Sequence, residues 1–230
     1  MKLCDLHKRA IEYVIVLMAL VSGSIVQAND PDTDPYPDAA FAERVMQFAA
    51  TSDSAPLRCA GMLLTPKRFM TAAHCIEESL KSIRINCLHG ADKPQIVERQ
   101  IVQIHTPVNH DISIVTLDEG TSCFTSNTAM ALSNQSATSL FTLNLSTNSR
   151  NQLNILQTNP ETYIVDDEAC LTQGDSGTPV FTTDIQGDLE LAAMLISGTD
   201  ECPAIQVLAN VSDFYDWIEA VLVLPISRDR

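Results

Sequence analysis

Residues 59–75 read "CAGMLLTPKRFMTAAHC" and place His74 directly before a cysteine. Cys59 opens this stretch and Cys75 closes it. A histidine beside a disulfide would be held in a fixed position. An imidazole must stay within hydrogen-bond reach of a nucleophile to act as its general base. The stretch therefore singles out His74 as a candidate catalytic base.

A second stretch, "CLTQGDSGTPVF" at residues 170–181, holds Ser176 between an aspartate and a glycine. A serine hydroxyl needs a neighbouring base to become a good nucleophile, and the oxyanion that develops needs preorganised N–H donors. Because glycine permits the tight backbone that aims such donors inward, the amides of Gly174 and Ser176 are candidates for an oxyanion hole. Taken alone, the motif fits a surface turn equally well, since Gly, Asp and Ser are common turn residues.

The segments around these motifs have the spacing of an all-β chain, which suits a barrel or a sandwich. A nucleophile elbow of the α/β-hydrolase type is excluded, because Thr178 replaces the last glycine of G-x-S-x-G and β-α alternation is lacking. Helical periodicity is strong only near the C-terminus, at residues 212–224. The predicted strands are 45–49, 62–64, 82–88, 95–104, 112–117, 139–146, 151–158, 162–165, 178–181 and 189–196.

A third stretch, "HDISIVTL" at residues 110–117, supplies Asp111 between the histidine and the serine in chain order. With "VSDFYDWIEAV" at residues 211–221, these stretches resemble the trypsin/chymotrypsin-like serine proteases, in which T-A-A-H-C holds the general base beside a bridging cysteine. The order His, Asp, Ser is the chymotrypsin order. The resemblance covers most of the chain and is weakest before residue 45 and from about 122 to 162.

The resemblance implies a chymotrypsin-like fold of two antiparallel six-stranded β-barrels with a C-terminal α-helix. The expected bounds are about 40–122 for the first barrel, 123–210 for the second and 212–224 for the helix. In the implied catalytic triad, Ser176 attacks the scissile carbonyl, His74 is the general base, and Asp111 orients the imidazole. His89, His105 and His110 are lone histidines, to which no role is assigned.

The sequence departs from the trypsin pattern at the primary specificity pocket. Cys170 stands six residues before Ser176, where trypsin-like members carry an aspartate, and this resembles bacterial members such as the streptogrisins and lytic proteases. The implied pocket wall is Ser197, Gly198 and Thr199, with a threonine where a glycine usually opens the pocket. Gln206 stands near another wall position that is often glycine. We expect a narrowed pocket that prefers small or medium side chains.

The activation signal of the family is also missing, since no Ile-Val-Gly-Gly sequence follows a cleavage site. Val45 after Arg44 stands only 14 residues before Cys59, too close to serve as the new N-terminus. Asp175 must therefore find another partner than a new amino group or stay unpaired. The mature protein is expected to start near Asn29 without a tryptic activation step.

Six of the seven cysteines remain after an export signal is removed, and an even number in an exported chain predicts three disulfides. A zinc site is the competing interpretation, but neither C-x-x-C nor H-x-x-x-H occurs. The resemblance implies disulfides between Cys59 and Cys75 and between Cys170 and Cys202. Cys87 and Cys123 have no family counterpart and are expected to form the remaining pair.

The N-terminus has the pattern of a signal peptide, residues 1–28. Lys2, Lys8 and Arg9 precede an apolar run, and "VQA" at residues 26–28 predicts cleavage after Ala28. An uncleaved anchor is disfavoured because the run is shorter than the ~20 residues of a spanning helix. We therefore expect a secreted or periplasmic protein without stable membrane insertion. The net charge of −15 argues against nucleic-acid partners.

These observations predict a secreted serine endopeptidase over residues 29–230, with an extended peptide or protein as its substrate. No metal or organic cofactor is implied, and a monomer is expected. The alternative is a protease-like binding protein that kept the triad but lost a competent pocket or oxyanion hole. A structural or adhesive exported β-domain would explain neither "TAAHC" nor "GDSG".

Overall fold

Twelve β-strands form within the residues that the structure, a computed structural model, describes. Those residues are 44–50, 57–76, 79–87, 95–121, 130–144, 149–167, 174–199 and 204–226. Residues 1–43 lie outside them, so the signal peptide and its cleavage after Ala28 stay predictions. No helix within the described ranges has the length and apolar character to span a bilayer.

The first six strands close into an antiparallel barrel in the order β1-β2-β3-β6-β5-β4. Closure comes from the pairing of β1 with both β2 and β4. Side chains on β4 point alternately into the core and into solvent: Ile83 and Ile85 are fully buried, and Arg84 between them is exposed. The strands are β1 (Val45–Ala50), β2 (Leu57–Thr65), β3 (Arg68–Thr71), β4 (Ser82–Cys87), β5 (Gln95–His105) and β6 (Ser113–Leu117).

The other six strands close into a second antiparallel barrel, in the order β10-β11-β12-β9-β8-β7. Read from β7 this is the connectivity of the first barrel, so the chain folds the same topology twice. The strands are β7 (Leu140–Asn144), β8 (Ser149–Thr158), β9 (Thr162–Asp167), β10 (Pro179–Thr183), β11 (Leu189–Gly198) and β12 (Ala204–Asn210). The predicted fold class, with two six-stranded barrels, is confirmed.

The C-terminal helix α1 (Tyr215–Val223) follows a 3-10 turn, Val211–Phe214. The 3-10 turn is capped by Asn210, whose side chain accepts a hydrogen bond from the amide of Ser212. Ile218 and Val221 on one helix face are buried. They belong to an apolar cluster with residues from both barrels, among them Met62, Met70, Ile112, Phe181 and Met194. Each barrel also has its own apolar core.

Candidate active site

Strands β3 and β6 bring the predicted histidine and aspartate together. Thr71 on β3 is paired with Ser113 on β6. His74 follows Thr71 by three residues, in the 3-10 turn Ala73–Cys75, and Asp111 precedes Ser113 by two. Because the two strands are antiparallel, both residues lie at the same barrel end. Asp111 Oδ2 is 2.7 Å from His74 Nδ1, and Asp111 Oδ1 accepts a 2.8 Å hydrogen bond from the main-chain amide of His74.

This two-point contact fixes the orientation of the imidazole. One carboxylate oxygen holds the backbone of His74 and the other holds its ring, so that Nδ1 donates and Nε2 faces away from Asp111. The contact is partly open to water, since the side chains of His74 and Asp111 are 48% and 33% exposed. Salt and solvent therefore screen part of the attraction.

The electrostatics follow from this geometry. The hydrogen bond from the ring to Asp111 is the main cause that raises the pKa of His74, and the negative charge of Asp111 adds to it against partial burial. For Asp111, burial is the largest single influence and raises its pKa. The hydrogen bonds and charge of His74, with the amide of Ala73, together outweigh burial, so that the pKa of Asp111 is lowered. The pair thus favours a charged aspartate and a basic imidazole.

The turn that carries His74 is tied to strand β2 in two ways. A disulfide joins Cys59 on β2 to Cys75, the residue after the histidine. The hydroxyl of Thr71 also donates a 2.8 Å hydrogen bond to the carbonyl oxygen of Ala60. The predicted bridge between Cys59 and Cys75 is therefore present, and it excludes these two cysteines as zinc ligands.

Ser176 lies in a turn of the second barrel that is docked onto the first. Its carbonyl oxygen accepts a 2.7 Å hydrogen bond from the amide of Ala60 and lies 3.8 Å from the sulfur of Cys75. Ser176 is thus placed beside the residue that follows His74. The structure therefore pairs His74 with Asp111 and places the main chain of Ser176 next to Cys75.

Hydrogen bonds within the second barrel hold the shape of the serine turn. The amide and the hydroxyl of Thr178 both donate to the carbonyl oxygen of Asp175, at 2.9 and 2.6 Å. The amide of Gly177 donates to Leu195 on β11 at 2.7 Å. Gly174 and Gly177 have φ angles of 105° and 86°, the left-handed region that favours glycine.

The predicted pocket wall lies on strands β11 and β12. Gly198 is paired with Gln206 across these strands, and Thr199 is joined to Ile205 by hydrogen bonds of 3.1 and 3.2 Å. Gln206 is only 1% exposed. Its side chain covers Gly198 so closely that a β-carbon on Gly198 would lie 1.7 Å from Oε1 of Gln206. The space next to Gly198 is therefore occupied by the amide of Gln206.

Several predicted residues fall outside the described part of the chain. Cys123, Cys170 and Cys202 lie there, and Cys87 is described only in its backbone, at the end of β4. The pairs Cys87–Cys123 and Cys170–Cys202 remain predictions.

Two supporting residues were missed by the sequence analysis. Ala60 connects to both Thr71 and the carbonyl of Ser176, although an alanine on a strand carries no signal of its own. His110 was assigned no role, yet its ring contacts Phe214 in the 3-10 turn that follows the second barrel. Its position directly before Asp111 was the signal available.

Comparison with known proteins agrees with this architecture. The family model described as Trypsin matches residues 38–218, a span that contains His74, Asp111 and Ser176. A search of curated proteins finds no significant match to the chain.

Proposed function

The chain belongs to the trypsin family of serine proteases, and from this premise we propose that it is a secreted serine endopeptidase acting through an acyl-enzyme intermediate. The observation that carries the proposal is the two-point contact of Asp111 with His74 beside the docked Ser176 turn. A lone carboxylate near a histidine is common. A carboxylate that holds both the ring and the amide of a histidine, next to a glycine-flanked serine, fits a Ser-His-Asp triad.

The proposed reaction begins when Oγ of Ser176 bonds to the carbonyl carbon of the scissile peptide and gives its proton to Nε2 of His74. Asp111 stabilises the imidazolium that forms. His74 then passes the proton to the leaving nitrogen as the C–N bond breaks, which leaves an ester on Ser176. A water molecule loses a proton to His74 and attacks the ester. That proton returns to Oγ as the carboxylic product leaves.

We assign the oxyanion hole to the main-chain N–H groups of Gly174 and Ser176. Developing negative charge is stabilised best by donors that are fixed before the reaction. The left-handed φ of Gly174 and the hydrogen bonds that Thr178 makes to Asp175 support such preorganisation. The hole requires no cofactor.

An extended peptide substrate would pair with strand β11. The pairing of β11 with β10 ends at Met194, and Leu195 is the next residue bonded to the serine turn. Ser197, Gly198 and Thr199 are exposed, and Gly198 pairs with β12 on one side. A strand edge of this kind accepts main-chain hydrogen bonds from an added strand by β-augmentation.

The pocket beside this edge is proposed to prefer small or medium side chains. The amide of Gln206 occupies the space over Gly198, and Thr199 adds bulk at the rim. Cleavage of a peptide library would test the preference. Strong selection for Arg or Lys at the scissile bond would contradict it.

The disulfide of the first barrel supports the export of the protein. The disulfide between Cys59 and Cys75 needs an oxidising compartment to persist. We propose that residues 1–28 direct export, that the mature chain starts near Asn29, and that it acts as a monomer. Intact mass of the secreted, active protein tests the start, and an active species trimmed well inside residue 29 would contradict it.

The observation on Gln206 also favours a second candidate, a protease-like protein that binds peptides without cleaving them. If the amide of Gln206 closes the pocket, a substrate side chain cannot enter and the triad stays idle. This candidate and the endopeptidase differ in one measurable property, the reactivity of Ser176.

Labelling by a fluorophosphonate probe tests the proposal. The wild type is expected to be labelled in a pH-dependent manner, and Ser176→Ala is expected to lose the label. Ser139→Ala, at an exposed serine ahead of β7, is the matched control and should keep it. A folded wild type that stays unlabelled, or equal labelling of Ser176→Ala, would refute the endopeptidase and leave the binding protein.

A further inference from the structure

The loop that carries Asp111 is fixed at its base and at its tip. At the base, the hydroxyls of Thr106 and Ser113 are 2.6 Å apart and bridge the ends of β5 and β6. At the tip, the amide of His110 donates to the carbonyl oxygen of Pro107 at 3.3 Å. Asn109 between them has a φ of 65°, the left-handed region that asparagine tolerates better than most residues. This tight turn sets the direction of the His110 side chain.

The ring of His110 crosses from the first barrel to the second. It meets the ring of Phe214 edge to face, with ring centres 4.9 Å apart and planes at 77°. Its Nδ1 lies 3.9 Å from Oε2 of Glu161 in the turn between β8 and β9. His110 thus contacts the 3-10 turn after β12 and the turn between β8 and β9 of the second barrel.

Those two elements are firmly connected to each other. The amide of Asn210 donates to the carbonyl oxygen of Glu161, and its side chain donates to Pro160, both at 2.8 Å. Asn210 also caps the 3-10 turn that ends at Phe214. Phe214 is buried, and its ring packs edge to face on Trp217 of α1. The surface that receives His110 is therefore a fixed part of the second barrel.

Asp111 is held on its other side as well. Ile112, the next residue, is fully buried in the apolar cluster that the two barrels share. Asp111 thus stands between one residue anchored in the shared core and one anchored on the second barrel. The carboxylate itself reaches back to His74 on the first barrel.

We propose that His110 is a positioning residue for catalysis, which docks the Asp111 loop on the second barrel through Phe214 and so keeps the Asp111–His74 pair aligned with Ser176. This inference rests on the proposed function. The aromatic contact is the larger part of the docking, because Nδ1 of His110 lies 3.9 Å from an exposed carboxylate, beyond hydrogen-bond distance. Since Ser176 belongs to the second barrel, a loop docked there moves with the nucleophile.

The first test is kinetic. His110→Ala should lower kcat by roughly tenfold to a hundredfold, the range expected for a small misplacement of a catalytic group, with little change in KM. His110→Phe keeps an aromatic edge on Phe214 and should restore most of kcat. Glu161→Gln should keep a kcat near that of the wild type. Val108→Ala, at an 81% exposed position of the same loop, is the control for a general disturbance.

The second test separates positioning from mere stability. A loosened Asp111 holds His74 less well, so the acid limb of the kcat/KM profile of His110→Ala should move to lower pH. If His110→Ala fails to fold, Phe214→Leu removes the ring contact from the other side and should show the same shift. Thermal unfolding of each variant is measured alongside.

The outcomes are distinguishable. If the wild type reacts with the serine probe while His110→Ala keeps the wild-type kcat and acid limb, the positioning role is refuted and the proposed function stands. The positioning role is also refuted if Val108→Ala lowers kcat as much as His110→Ala does. The same holds if kcat falls only in step with Tm and the acid limb does not shift. An unreactive wild type refutes the proposed function itself.

Discussion

Gly177 of the second barrel lies against Ala60 of the first with no space for a side chain. A β-carbon on Gly177 would lie 2.0 Å from the carbonyl oxygen of Ala60 and 2.4 Å from the hydroxyl of Thr71. Real atoms do not approach so closely, and the partner at Ala60 is backbone, which moves only with its strand. The close approach also lets Ser176 accept the hydrogen bond from Ala60. The glycine after the serine is therefore required by the contact between the barrels.

Gly177→Ala is predicted to push the serine turn away from the first barrel. The added methyl group combines a steric conflict with a φ of 86°, and together these should lower the free energy of unfolding by about 2–4 kcal/mol. The displacement of Ser176 should slow probe labelling by roughly a hundredfold or more. Chemical denaturation and the labelling rate measure the two effects.

Gly187→Ala is the matched control for this prediction. Gly187 has nearly the same φ, 89°, but nothing lies within 4 Å of the position of its β-carbon. Backbone strain alone should lower the free energy of unfolding of this variant by about 1 kcal/mol, and the wild-type labelling rate should be kept. Equal labelling rates in both variants would show that the contact with Ala60 is not what places Ser176.

The pH dependence of activity follows from the pair His74 and Asp111. His74 must be neutral to accept a proton, and its raised pKa places the acid limb of kcat/KM above the ordinary value of about 6.5. Asp111→Asn removes the main cause of the raised pKa, so the limb should move to lower pH. The rate should also fall, by roughly 10⁴-fold if the pair acts as in known triads. A limb that stays in place would contradict the assignment.

The same pair predicts a pH window for stability. The raised pKa of His74 stabilises the fold below its ordinary pKa, and this gain is lost as the pH rises through the folded value. The lowered pKa of Asp111 stabilises the fold above its own ordinary pKa, and this gain is lost on acidification. The stability difference between wild type and Asp111→Asn should therefore be largest between roughly pH 4 and 6.5. Both side chains are partly exposed, so added salt should reduce it.

The sequence predicted most of the strands, either from a period-two pattern, as on β4, or from a run of apolar and β-branched residues, as on the fully buried β6. It missed β3, which has only four residues and begins with an arginine that is buried, so that Arg68–Thr71 forms no apolar run. It also missed β12, where the expected pattern is inverted. Gln206 is buried there while its neighbour Ile205 is 51% exposed. Because a polar side chain faces inward and an apolar one faces outward, the hydropathy of these residues does not indicate a strand.

At the site, short motifs singled out His74, Asp111 and Ser176 as candidates, because catalytic chemistry restricts residue type and spacing. Docking residues are not restricted in this way. Ala60 acts through its backbone, and His110 acts through a ring contact with Phe214, about a hundred residues further along the chain. Such contacts depend on how two barrels meet, and no local pattern encodes that.

Gln206 is predicted to limit the size of the side chain that the pocket accepts. Gln206→Ala removes the amide over Gly198 and should raise kcat/KM for Leu or Phe relative to Ala at the scissile bond by roughly tenfold or more. A peptide library profiled with both proteins measures this shift. Gln100→Ala, at an exposed strand position, is the control and should leave the profile unchanged. An unchanged profile in Gln206→Ala would place the pocket elsewhere.

Arg68 of the first barrel holds the end of the C-terminal helix. Its guanidinium donates hydrogen bonds to the carbonyl oxygens of Leu222 and Leu224, and the side chain is almost fully buried. Such carbonyls at a helix end lack partners within the helix, and a cation there is favourable. Arg68→Met should lower the free energy of unfolding by about 2 kcal/mol. For a chain of this size, Tm should fall by roughly 4–8 °C.

A matched variant and the pKa of His105 show whether the effect of Arg68→Met comes from the contacts of Arg68 or from loss of a positive charge in general. Arg84→Met, at an exposed strand position, removes the same charge without a helix contact and should change Tm little. Burial and then the charge of Arg68 hold the pKa of His105 below its ordinary value. Arg68→Met should therefore raise the pKa of His105, which NMR titration can follow, while Arg84→Met should not. Because partial burial and the charge of Arg68 lower the pKa of His105, acidification should destabilise the wild type more than Arg68→Met.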